Sequence, residues 1–204
     1  ILDEKDENPE ILKILKKSFS KIYAIDYVGK NKNLIDVGIN MLYPKSGVTK
    51  YSFSGLNYAI LNKNFTQKRK IKKTVSSILI LQGGADTHCL IPQVIKSLNL
   101  VNHEFSITVV VGPSFSCWNE LEIAKNDSQK PLKIIHNVKN MSSVMLKHDL
   151  AITAGGMTLL ELSRCGIPSI VTCGEKLEEE TALLMQKHGF GINLGFNKKI
   201  NSKQ

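Results

Sequence analysis

From Ile78 onward, short apolar runs rich in Ile and Val alternate with amphipathic stretches, the pattern of βαβ units around a parallel sheet. The runs Ile78–Leu81, Ile107–Val111, Lys133–Ile135, Leu150–Thr153 and Ser169–Thr172, with a weaker Ile192–Leu194, predict six strands. Between the first two, Leu90, Val94, Ile95 and Leu98 fall on one helical face, and Pro92 stands where a helix can begin. Trp118–Lys125, Met141–Lys147, Met157–Cys165 and Glu178–His188 predict the other helices. Stop signals agree: Gly166 follows one helix with Pro168 just beyond, and Gly189 follows the last.

The first 70 residues are less regular. Pro9–Phe19 predicts a helix, Lys21–Ile25 a strand ending at Asp26, and Asp36–Asn40 a second extended piece. The basic run Lys68–Lys73 reads as an inter-domain connection, giving a first domain over 1–70 and a second over 74–204. No period of a repeat architecture is present. The chain opens at Ile1 without an initiating methionine, which predicts an incomplete N-terminal domain.

At 204 residues and 42% hydrophobic, the chain can bury a core and falls among globular proteins. No apolar run approaches the roughly 18 residues that span a bilayer, and no signal-peptide pattern opens the sequence, so a cytoplasmic location is expected. Cys89, Cys117, Cys165 and Cys173 have neither zinc-site spacing nor scaffold density, and read as reduced and mostly buried.

The net charge of +9 would suit nucleic acid, an anionic membrane face or phosphorylated substrates. Its excess lies mainly in Lys63–Lys73 and Lys198–Lys203, and the first run lacks the interleaved aromatics of a single-strand binding face. A solvated linker is the leading reading of that run. Peripheral association with a membrane surface is the minority one. No nucleic-acid motif accompanies the charge, so no nucleic-acid partner is expected.

Two segments join a predicted strand to a predicted helix through paired glycines: Gln82-Gly83-Gly84-Ala85-Asp86 and Ala154-Gly155-Gly156-Met157-Thr158. Glycine lets the backbone approach a ligand, and a helix N-terminus offers free N–H groups to an anion. Each loop alone could be a tight turn. Two at the carboxyl edge of one parallel sheet, where ligands bind, favour phosphate binding, although neither matches the Walker or dinucleotide fingerprint. Glu161, one turn beyond Thr158, either accepts hydrogen bonds from a ribose cis-diol or complements the helix dipole.

The segment from Ala154 through Glu161 to Ile170 resembles the glycosyltransferase motif of the MurG-like GT-B superfamily. Within it the likeness is to the UDP-sugar hydrolases of pseudaminic acid biosynthesis and the spore-coat polysaccharide biosynthesis proteins. Further likenesses follow in the same order: Ala24-Ile25-Asp26, Ser54 to Phe65, Leu81 to Asp86, Val109 to Gly112 and Ile135 to Met141. The resemblance implies an α/β, Rossmann-like parallel sheet of GT-B type. It implies that Gly155, Gly156, Met157 and Thr158 hold a diphosphate and that Glu161 binds the ribose. The backbone around Val138 and Met141 would receive the uracil edge, and Gly84 would face the sugar-phosphate.

Three departures qualify the likeness. The hydrolases carry a catalytic histidine on an N-terminal glycine-rich loop, whereas all five histidines here lie beyond residue 87, so no catalytic residue is assigned. The family's Asn-Gln pair after the fifth strand is replaced by Gly174-Glu-Lys-Leu-Glu-Glu-Glu. The first glycine loop continues Asp86-Thr87-His88-Cys89 where the hydrolases carry an asparagine; His88 either contacts a phosphate or sugar or is simply solvated. The expected function is a UDP-sugar enzyme, hydrolase or glycosyltransferase, of surface-polysaccharide or nonulosonic acid biosynthesis. The alternative is a non-catalytic nucleotide-sugar-binding subunit or sensor. No metal and no cofactor are expected, since no His/Asp/Glu cluster has ligand spacing and helix dipoles can hold a diphosphate.

Overall fold

The computed structural model describes residues 1–196, so the basic tail Lys198–Lys203 lies outside the described residues. The chain divides into two compact units, Ile1–Ile60 and Leu61–Gln204. The basic run Lys68–Lys73 therefore belongs to the second unit.

In the first unit, helix α1 (Pro9–Ser18) starts with Pro at its N-terminus, and the Asn8 side chain accepts the Glu10 N–H at 2.9 Å. Strands β1 (Tyr23–Ile25), β2 (Val37–Asn40) and β3 (Tyr51–Ser54) form a parallel sheet in that order. Leu12 of α1 packs with Ile22, Ala24, Tyr27 and Ile35 into a small core. Strand β3 has no counterpart among the predicted elements. Its residues are only four, and Tyr51, Ser52 and Phe53 are all exposed, so no apolar run announces it.

The second unit holds a six-stranded, all-parallel sheet in the order β6-β5-β4-β7-β8-β9. The strands are β4 (Ser77–Leu81), β5 (Ser106–Val110), β6 (Leu132–Ile135), β7 (Leu150–Thr153), β8 (Ser169–Cys173) and β9 (Gly191–Phe196). Helices α2 (Leu90–Leu98), α3 (Trp118–Asn126), α4 (Met141–Met145), α5 (Met157–Cys165) and α6 (Glu178–Lys187) connect them. Every predicted strand and helix of this half is present. The helix predicted over Met141–Lys147 closes two residues early, because the N–H groups of Lys147 and His148 turn back three residues, to Val144 and Met145, in place of the four-residue helical bond.

Alternate side chains of the central strands serve opposite faces. Ile78 and Ile80 pack with Ile91, Ile95, Ile107, Val109 and Leu121 on the α2/α3 side. Leu79 and Leu81 pack with Met145, Ala151, Leu162 and Ile167 on the α4/α5 side. A strand buried on both faces must be apolar throughout, which is why Ile78–Leu81 reads as a continuous run rather than an alternation. Each fully buried Ile or Leu contributes roughly 1.5–3 kcal/mol.

Two expectations need correction. The Lys63–Lys73 run is not a wholly solvated linker: the Arg69 guanidinium pairs with the Asp149 carboxylate, whose side chain is 1% exposed, and Lys72 joins them at 3.0 Å. The cysteines are not all reduced. Cys89 and Cys117, at the N-termini of the neighbouring helices α2 and α3, have Cα atoms 5.8 Å apart and form a disulfide; Cys165 and Cys173 are free and buried. The pairing is invisible in sequence because it depends on those two helices lying side by side.

Candidate functional site

The sheet order reverses between β4 and β7. The chain leaves β4 through α2 toward β5 on one side, whereas β7 lies on the other. An open α/β sheet binds ligands at such a switch point, beyond the carboxyl ends of its strands. Here the glycine loop 82–89 follows β4, and the glycine loop 154–156 follows β7.

A cleft of about 160 Å³ opens there. It is lined by Gln82 to His88 with Leu90 from the first loop, by Ala154, and by Gly174, Glu175 and Glu178 from the β8–α6 segment. Ligand pockets usually exceed about 300 Å³, so this cleft suits one portion of a nucleotide sugar rather than the whole.

The first loop is held by hydrogen bonds and close backbone contact. Gly83 has φ +65, which glycine adopts without penalty. Asp86 and Cys89 take the same left-handed conformation with φ 47 and 50. The buried Asp86 carboxylate accepts the N–H groups of Leu90 and Ile91 at 2.8 and 2.9 Å, closing the start of α2. Burial raises the Asp86 carboxyl against these two lowering bonds. A Cβ at Gly112 would come within 2.4 Å of the Gly84 carbonyl oxygen, and the Ser114 N–H donates to that oxygen at 3.0 Å. The loop after β5 thus braces the glycine loop, backbone against backbone.

The second loop leads into α5, whose N-cap is Gly156 and carries no side-chain cap. Met157 and Thr158 follow as the first helical residues, and the N–H groups of a first turn have no intrahelical acceptor. Gly155 is buried, and a Cβ there would meet the Glu178 carbonyl oxygen at 2.4 Å. The start of α6 therefore presses on this loop. The Glu178 carboxylate accepts the N–H groups of Gly174 at 2.8 Å and Glu175 at 3.3 Å, which shapes the turn between β8 and α6. Gln82 donates from its amide to the Thr172 hydroxyl at 2.6 Å, tying the end of β4 to β8 across β7. The Thr153 hydroxyl, at the end of β7, is buried without a partner.

Of the sequence-predicted residues, Gly84 lines the cleft, as does Ala154 at the head of the second loop. Gly155, Gly156, Met157 and Thr158 form the adjoining loop and helix start. Glu161 lies one turn further along α5, half-buried, with its carboxyl raised by burial. Val138 and Met141 are half-buried beyond β6, three strands from β7, packed on the α4/α5 side of the core. Sequence reasoning had not brought Glu175 and Glu178 into the cleft. Their run was noticed only as a departure, and its position depends on the β8–α6 turn. The sole His/Cys/Asp/Glu grouping with metal-ligand proximity among the described residues is Cys89, Cys117 and Glu120, whose two sulfurs are joined to each other.

Residues 52–199 match the glycosyltransferase family 28 C-terminal domain. An uncharacterised protein of Methanocaldococcus jannaschii is 32% identical over 159 residues, 74% of this chain and 31% of that protein. The spore coat polysaccharide biosynthesis protein SpsG of Bacillus subtilis is 28% identical over 153 residues, 72% of this chain and 45% of SpsG. The chain thus spans less than half the length of these curated relatives. Among solved structures, Acinetobacter baumannii MurG superposes with TM-score 0.65 at 12% identity, covering 94% of this chain and 58% of MurG. The glycotransferase of kitacinnamycin superposes with TM-score 0.56 at 15% identity, covering 83% of this chain and 44% of its own. These two establish the fold as GT-B-like α/β.

Proposed function

The chain belongs to the family of glycosyltransferase family 28 C-terminal domains, and from this premise we propose that it is the donor-binding part of an enzyme that handles a UDP-linked sugar. The complete protein transfers the sugar or hydrolyses its bond to phosphate, in surface-polysaccharide or nonulosonic acid biosynthesis. The naming of SpsG for polysaccharide biosynthesis supports that setting.

One observation carries the reading: two glycine loops open at the carboxyl ends of adjacent strands, β4 and β7, where the sheet order reverses. In this reading Gly155, Gly156, Met157 and Thr158 hold the diphosphate at the uncapped start of α5, and Gly84 faces the sugar-phosphate. The same N–H groups then stabilise the charge that grows on the departing diphosphate. Glu161, raised by burial, receives the ribose hydroxyls, which replace lost water with two donors. Val138 and Met141 sit three strand spacings from β7, about 14 Å, the length scale of an extended nucleoside diphosphate, which suits them to the base edge.

Calorimetric titration with UDP, CDP, GDP and ADP tests this. Selective binding of UDP is the expected result, with thermal stabilisation that grows with ligand concentration. Failure of all four to bind would reduce the glycine loops to turns.

A further inference from the structure

Resting on the nucleotide-sugar reading of this cleft, we propose that His88 is a diphosphate-binding residue, supplying the positive charge that the rest of the cleft withholds. A diphosphate carries two negative charges, yet the charged side chains around the cleft are carboxylates: Asp86, Glu175 and Glu178. Asp86 closes the start of α2, and Glu178 accepts the N–H groups of Gly174 and Glu175. Lys176, in the same segment, does not line the cleft. Among the described lining residues, His88 alone can carry positive charge.

Its ring is positioned for the task. The ring of Phe196, at the end of β9, meets it edge to face with centroids 6.3 Å apart. On the other side it approaches Gly174, where an added Cβ would lie 3.8 Å from the imidazole Cδ2 and 3.8 Å from the Glu178 carboxylate. His88 follows the left-handed Asp86 by two residues, and the disulfide at Cys89 fastens the next position to the loop after β5. The exposed imidazole is therefore carried on a braced loop and lines the same cleft as Ala154, at the head of the loop that leads into α5.

The ionisable groups around the ring are Asp86 on its own loop, Glu175 and Glu178 on the β8–α6 segment, and Glu179, which lies against Gly195 beside Phe196. All of these are acidic, so a positive charge at position 88 decides how the cleft meets an anion, and substitution there isolates it.

The experiment measures UDP-glucose and uridine affinities for wild type, H88Q and H88K between about pH 5.5 and 8.5, the span in which histidines change charge. The diphosphate of UDP-glucose keeps one charge state throughout, and uridine shares its uracil but has no phosphate. Near the acid end, H88Q should bind UDP-glucose about tenfold more weakly, as expected for loss of one charge-assisted hydrogen bond, and uridine equally well. H88K, which keeps a positive charge at this position, should restore the UDP-glucose affinity that H88Q loses. Because His88 is exposed, all three should melt alike. Equal UDP-glucose affinity in wild type and H88Q, or equal weakening toward uridine, would overturn the inference and leave the nucleotide-sugar reading standing. A wild type that binds neither UDP-glucose nor any nucleoside diphosphate would overturn both.

Discussion

Glu161 shows what the residue proposed to receive the ribose costs the empty fold. It is half-buried in the second turn of α5, and burial raises its carboxyl above the ordinary 4.5. A carboxyl raised in the folded state favours the protonated form, so the stability it supports is present below that ordinary value and lost as pH rises through the folded one. At neutral pH the wild type bears this cost and Glu161→Gln does not. The substitution should therefore raise stability at pH 7 by the order of 1 kcal/mol or less, with the difference vanishing toward pH 4. Nucleotide affinity should fall about tenfold, since an amide is a poorer acceptor for a diol than a carboxylate. Thermal unfolding and calorimetry on one preparation measure both, and undiminished affinity would remove the ribose role. The glycine pairs and the acid one turn beyond were readable in the sequence because they are local. The pressure of Glu178 on Gly155 was not, since it joins two loops that only the sheet brings together.

At the scale of elements, the strands of the second unit were legible because burial on both faces demands uninterrupted apolar residues, as in Ile78–Leu81. The helices were legible from their periodicity and glycine stops. Strand β3 and the disulfide were not, because one pairs at an exposed edge and the other across two helices. A third nonlocal device ties elements at the opposite edge of the sheet from the cleft. Burial pushes the Asp149 carboxyl up, but the N–H and hydroxyl of Ser76, Lys72 and the Ser77 hydroxyl outweigh it and hold the group well below the usual carboxylate range. Arg69 and Lys72 pair with Oδ1 while the two serines donate to Oδ2, so this cluster binds the segment preceding β4 to the start of β7. A depressed carboxyl stabilises the fold above the ordinary 3.8, and the contribution is lost as pH falls through the folded value. Asp149→Asn should cost about 3 kcal/mol at neutral pH by leaving Arg69 without its counter-charge. The gap to wild type should shrink as pH falls below the ordinary 3.8, because the unfolded chain's carboxylate takes up a proton there while the folded one still resists it. Denaturant unfolding at both pH values gives the comparison. A gap that does not change with pH would assign the effect to shape rather than charge.

At the scale of the whole molecule, the two units differ in how completely they bury themselves. The second, Leu61–Gln204, has a six-stranded sheet with helices and a core cluster on each face, the completed form of a parallel sheet. The first, Ile1–Ile60, has three strands and one α-helix. In register across its sheet, Tyr23 and Tyr51 share a face with Ile25 and Phe53, and the exposures of Tyr51 and Phe53 reach 59% and 47%. A chain of that length buries only about 60% of its unfolded surface, and an all-parallel sheet leaves no face to water without cost. Expressed separately, 61–204 should unfold in one cooperative transition, whereas 1–60 should show none. Because the glycine loops, Glu161, His88 and the β8–α6 turn all belong to the second unit, 61–204 should also bind UDP within about twofold of the whole chain, a difference of roughly 0.4 kcal/mol. Circular dichroism melting and calorimetry on the two fragments measure these properties. A fragment 61–204 that folds and yet fails to bind, while the whole chain does, would refute the assignment of the donor site to this unit; retained binding would make the second unit a self-sufficient nucleotide-binding domain.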